Sequence, residues 1–63
     1  MQTKPDALIA ETFGMLAFAK GIKRASALDA EFKVFLFREG NSNKRTLAEL
    51  SAWNKGWDIA NLA

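Results

Sequence analysis

Ala7, Ala10, Gly14, Ala17 and Gly21 recur at alternating steps of three and four residues near the start of the chain. On a helix, steps of that kind place all five on one stripe. A stripe of very small residues lets a second backbone come close. Each interior glycine costs roughly 1 kcal/mol of helix propensity relative to alanine, so the pattern implies a packing gain that offsets the loss. The same interval carries Leu8, Ile9, Phe13, Met15, Leu16, Phe18 and Ile22, spread over more than half of the helix circumference. Such a helix requires burial on more than one side. Pro5, the sole proline, stands between Thr3 and Asp6. This start signal predicts a helix over residues 6–25, with Thr3 as its N-cap and Pro5 in its first turn.

Further along, Ser26 with Asp29 three residues later has the spacing of a cap for a second, short helix. Gly40 and the run Asn41-Ser42-Asn43 mark a stop and a loop. Between them, Phe32-Lys33-Val34-Phe35-Leu36-Phe37 is strand-like by propensity, yet no comparable run elsewhere offers it a partner strand within one chain. A helix is the preferred reading; it gathers Leu28, Phe32, Phe35 and Leu36 on one face and leaves Val34 and Phe37 exposed. The strand survives as the alternative in which two chains pair the segment between them. Thr46 and Glu49 have the spacing of a capping box, which predicts a last helix from there to about residue 62. On it Leu50, Trp53, Trp57 and Ala60 share a stripe.

Volume complementarity sets the two long helices against each other. Antiparallel packing, with Trp53 and Trp57 over the Gly14 and Gly21 region, is the simplest arrangement. The expectation is a single all-α domain over residues 1–63, a small helical hairpin or bundle with two main helices and a shorter aromatic helix between them. A chain of 63 residues buries only about 60% of its unfolded surface. A second copy that completes the core, making a homodimer, fits that thin margin. Hydrophobic residues at 49% and charged residues at 25% exclude both a disordered chain and a membrane-embedded one. Lys4, Asp6 and Glu11 interrupt any apolar signal core, which leads us to expect a cytoplasmic location.

Catalysis finds little to work with. Cysteine and histidine are both absent, which removes thiol nucleophiles, thiolate and imidazole metal sites, and the usual proton-transfer group near neutral pH. No metal and no cofactor is expected. A nucleophile would have to be a serine or threonine activated by lysine, and the carboxylates read as caps and solvated faces. Gly14, Gly21, Gly40 and Gly56 never cluster into a phosphate-cradling turn. The chain is read as a binding protein rather than an enzyme.

Charge is uneven along the chain. Residues 20–45 hold seven cations, Lys20, Lys23, Arg24, Lys33, Arg38, Lys44 and Arg45, against three carboxylates, whereas the flanks are acidic. Lys20, Lys23 and Arg24 close the first helix, where they serve its dipole and, equally, a phosphate backbone. Converging, the seven would form an electropositive face for RNA, with no base-reading code. Trp53 and Trp57 are read first as core anchors, and otherwise as a stacking platform for bases or a hot spot for a protein. Gly56 between them gives a neighbouring helix close approach.

The segment Trp53-Asn54-Lys55-Gly56-Trp57-Asp58-Ile59-Ala60 follows the pattern Trp-x-x-Gly-Trp-x-x-Ala. In this it resembles the ribosome modulation factor family, short bacterial and phage-encoded proteins of similar length. Phe18-Ala19-Lys20-Gly21 looks like the family's earlier aromatic-x-x-Gly element, followed here by Lys23 and Arg24. The two elements cover about a quarter of the chain. The segment joining them departs from the family pattern: it lacks the usual Pro-Tyr pair and carries the Phe-rich run instead. The resemblance implies a small helical protein that contacts ribosomal RNA or the small ribosomal subunit and modulates translation under stress. It also implies Phe18, Gly21, Trp53, Gly56 and Trp57 as the scaffold. From a different class, the chain would be a phage or accessory protein that binds and inhibits a host protein through the exposed part of residues 32–37.

Overall fold

The computed structural model of the protein describes residues 5–63. Three α-helices, α1 (Pro5–Ala19), α2 (Ala30–Leu36) and α3 (Asn43–Leu62), and a 3₁₀ turn (Ser26–Leu28) form an all-α fold with no strand among the described residues. Residues 32–37 are therefore helical up to Leu36, with Phe37 as the C-cap. The expected cap at Thr3 lies outside the described residues.

α1 is shorter than its apolar pattern predicts, and Gly21 is the reason. The Ile22 amide donates to the Ala17 carbonyl at 2.9 Å and the Gly21 amide to that of Phe18 at 3.0 Å, the paired bonds of a Schellman ending. That ending needs a left-handed residue, and Gly21 takes it at φ +81°. A side chain on Gly21 would meet nothing within 4 Å. Gly21 thus terminates the helix and does not extend the small-residue stripe.

The long helices run parallel, which corrects the antiparallel expectation. Asp6 lies beside Arg45 near the start of both, Gly14 beside Trp53 at the middle, and the Phe18 ring against that of Trp57 towards the end. Volume complementarity, on which the antiparallel expectation rested, does not distinguish the two directions, and residues 20–42 are long enough to carry the chain back. At the crossing the two backbones touch. The Trp53 carbonyl oxygen occupies the place of a Gly14 side chain, with the Trp57 nitrogen 2.9 Å from it, and the Glu11 carbonyl oxygen occupies the place of a Gly56 side chain. The trough left by Gly14 is filled by the α3 backbone and not by the indoles.

Those indoles serve the return segment. Asp29 caps α2 by accepting from the Phe32 amide at 3.1 Å, and its other oxygen accepts from Trp53 Nε1 at 2.9 Å. Asp29 itself, rather than Ser26, is the cap because it immediately precedes the helix. Phe32 packs on Trp53 at 6.1 Å and on Phe13 at 5.7 Å between ring centroids. Ala10, Ala17, Phe32, Leu36 and Trp53 make up the buried apolar core. Leu28, expected to join that face, is exposed in the 3₁₀ turn.

α3 begins earlier than the capping-box reading placed it. Ser42 is the N-cap, its hydroxyl accepting from the Arg45 amide at 3.1 Å, while the Thr46 hydroxyl donates back to the Ser42 carbonyl at 2.9 Å. Glu49 is thereby freed from the helix end and lies inside, 1% exposed.

Candidate nucleic-acid interface

The seven cations of residues 20–45 fall into three situations. Arg38 is committed to the fold: it donates to Glu49 at 3.0 and 2.7 Å, to Asp6 at 3.2 Å and to the Phe35 carbonyl at 2.8 Å. Its guanidinium also stacks over the Phe35 ring, 4.1 Å from the centroid. Asn41 Nδ2 completes the surroundings of Glu49 at 3.0 Å. The hydrogen bonds from Arg38, assisted by the one from Asn41, hold the Glu49 carboxyl below the usual glutamate range against the opposing effect of burial.

Lys20, Arg24 and Arg45 make exposed ion pairs. Lys20 meets Glu31 at 2.8 Å, Arg24 grips Asp58 with two bonds of 2.7 and 2.8 Å, and Arg45 stands 3.9 Å from Asp6. The bond from Arg24 depresses the Asp58 carboxyl, and the bond to Glu31 raises the Lys20 ammonium. Solvent screens pairs this exposed, so a phosphate can replace the carboxylate at little cost. Lys23, Lys33 and Lys44 make no ion pair or side-chain hydrogen bond among the described residues.

The cations do not converge on one face. Lys20, Lys23 and Arg24 follow the C-terminal end of α1, whereas Lys44 and Arg45 open α3 at the opposite end of the parallel pair. Arg45 and Asp58 mark the two ends, about 20 Å apart along the helix. Lys33 lies in the last turn of α2.

Around the first cluster the two motif elements meet. The Phe18 and Trp57 rings meet edge to face, 5.1 Å between centroids and 88° between planes, and Trp57 Nε1 donates to the Ile22 carbonyl at 2.9 Å. Trp57 thus fixes the backbone between Gly21 and Lys23, and the adjacent Asp58 holds Arg24. Trp53 is fully buried and offers no stacking surface; Trp57 is half-buried. Asp29, Asn41 and Glu49 are the polar residues whose structural parts sequence patterning missed. For Asp29 a signal existed, since an aspartate directly before an apolar run is a common N-cap.

No family model, no curated protein and no solved structure matches the chain. No helix among the described residues is long and apolar enough to cross a membrane.

Proposed function

We propose that the protein is a small non-catalytic binder of RNA or a ribonucleoprotein, of the ribosome-modulating type. The observation that carries the reading is the contact between Phe18, Trp57 and the Ile22 carbonyl, which joins the two motif elements and fixes the backbone beside Lys20, Lys23 and Arg24. Lys23 has no intramolecular partner among the described residues, and its two neighbours have only exchangeable ones. Lys44 and Arg45 form a second, separate contact point for the same backbone, while Arg38 acts in the fold. Phosphate recognition by such groups positions a protein on RNA without reading sequence.

The competing reading is inhibition of a host protein through α2, favoured by Val34 and Phe37, which are 77% and 72% exposed. A pulldown from bacterial lysate, with and without ribonuclease, separates the two. Ribosomal components retained only while RNA is intact, and released as salt rises, support RNA binding. One non-ribosomal protein that survives nuclease and salt supports the α2 reading and overturns the first.

A further inference from the structure

Trp57 and Asp58, neighbours on α3, hold the segment after α1 at two places. Trp57 Nε1 donates to the Ile22 carbonyl at 2.9 Å, and the Asp58 carboxylate accepts from the Arg24 side chain. Arg24 donates from Nε to Oδ1 at 2.7 Å and from Nη2 to Oδ2 at 2.8 Å, so the carboxylate lies along one edge of the guanidinium plane. A guanidinium carries a fork of N–H groups on more than one edge. One N–H of Nη1 and one of Nη2 lie parallel along the adjacent edge, which has no partner among the described residues, and the Arg24 side chain is 49% exposed. Lys20 is held differently. Its single nitrogen meets Glu31 at 2.8 Å, and a phosphate would crowd that same atom.

We infer that Asp58 is a positioning residue for the RNA contact: it stays on Arg24 and aims the free Nη1–Nη2 edge at the two non-bridging oxygens of one phosphodiester. That edge is the fork which matches a phosphate with two parallel bonds. The inference rests on the RNA-binding reading above and adds to it the residue that orients one cation and the chemical group that this cation takes. Magnitudes decide whether Asp58 helps or competes. Ordering a rotamer-rich side chain before it binds is worth about two- to twelvefold in affinity. An exposed carboxylate on the far side of the guanidinium, roughly 7 Å from the phosphate, costs only about 1.5-fold at physiological salt. Positioning therefore exceeds repulsion at Arg24. At Lys20 no second edge exists, and Glu31 is a competitor that the phosphate must displace.

Asp58→Ala and Glu31→Ala each remove a negative charge from beside a cation, so bulk electrostatics alone would move both the same way. Fluorescence anisotropy of a fluorescein-labelled oligouridine, titrated with the full chain at one fixed salt concentration, separates them. Asp58→Ala should weaken binding by about threefold, whereas Glu31→Ala should tighten it by up to about twofold. In an Arg24→Ala background Asp58→Ala should change sign and tighten binding slightly, because only its charge is then left to act. Circular dichroism should show every variant folded, since both ion pairs are exposed. Tightening by Asp58→Ala in the wild-type background makes Asp58 a competitor and overturns the inference while RNA binding stands. So does a weakening that persists unchanged in the Arg24→Ala background, which would mark a merely structural role. A wild-type chain without affinity for the RNA overturns the RNA reading and this inference together.

Discussion

Gly14 and Gly56 lie at one crossing, each with a carbonyl of the opposite helix where its side chain would be. The hydrogen in that place points at the oxygen, the geometry of a Cα–H···O contact. Alanine at either position would gain roughly 1 kcal/mol of helix propensity in isolation. Here the added methyl meets backbone that cannot rotate away, so the helices must separate along their length. We expect Gly14→Ala and Gly56→Ala each to destabilise by about 3 kcal/mol or more. Urea denaturation followed by tryptophan fluorescence measures it; a neutral or stabilising alanine at either site contradicts the crossing.

Gly21 makes the opposite case. Its surroundings are open, so Gly21→Ala meets only the strain of a left-handed backbone, about 1 kcal/mol. The same denaturation experiment should rank Gly21→Ala well above Gly14→Ala in stability. Equal losses would mean that Gly21 is a packing glycine after all.

These glycines also show what a sequence can and cannot reveal. The step of three and four marked Gly14 and Gly21 alike, because periodicity records position on a helix and not whether the helix has ended. The all-α class, the helical middle segment, the end of α3 at Leu62 and the role of Gly56 were legible from apolar spacing and residue volume. Helix direction was not, since parallel and antiparallel pairs bury the same stripes. Nor was the fate of Arg38 and Glu49. A cation and a carboxylate 11 residues apart give no local sign that one will be drawn inside to satisfy the other.

Glu49 ties stability to pH. Its carboxyl titrates below the usual glutamate range, about 4.3, chiefly because Arg38 donates to it, so folding favours the ionised form. The resulting stabilisation is fully present above the unfolded value and is lost as pH falls through the depressed folded one. Asp58, lowered by Arg24, acts in the same sense from a more exposed position. Glu49→Gln should cost about 2 kcal/mol at pH 7, with the gap to wild type narrowing below about pH 4. Arg38→Met should be worse at pH 7 than Glu49→Gln, because it strands a buried carboxylate, whereas Arg38 without Glu49 still reaches Asp6 and water. Thermal melts across pH 2.5–7 of the two variants check both the ranking and the convergence.

Asp29 links the α2 cap to the Trp53 indole, so its loss opens two defects at once. The cap contributes about 1 kcal/mol, and an orphaned buried indole N–H costs roughly 1–3 kcal/mol more. Asp29→Ala should therefore destabilise by about 2–4 kcal/mol. Trp53→Phe removes the donor along with its need for a partner, and in that background Asp29→Ala should cost less. A double-mutant cycle measures the coupling; additive losses would show that the indole bond contributes nothing.

The RNA reading makes its sharpest prediction where the cations differ in their commitments. Lys20, Lys23 and Arg24 carry exposed or no partners, so replacing all three by alanine should leave the helical fold intact. If each meets one phosphate, the slope of log affinity against log salt for single-stranded RNA should fall by about 2, at roughly 0.7 per contact. Lys44→Ala and Arg45→Ala should lower the slope further, by about 0.7 each, because they sit at the other end of the parallel pair and contact different phosphates. Arg38 behaves otherwise: its loss should show in a thermal melt before it shows in the slope. A triple variant with wild-type slope and affinity would remove the first cluster from the interface and leave Val34 and Phe37 as the surface to test.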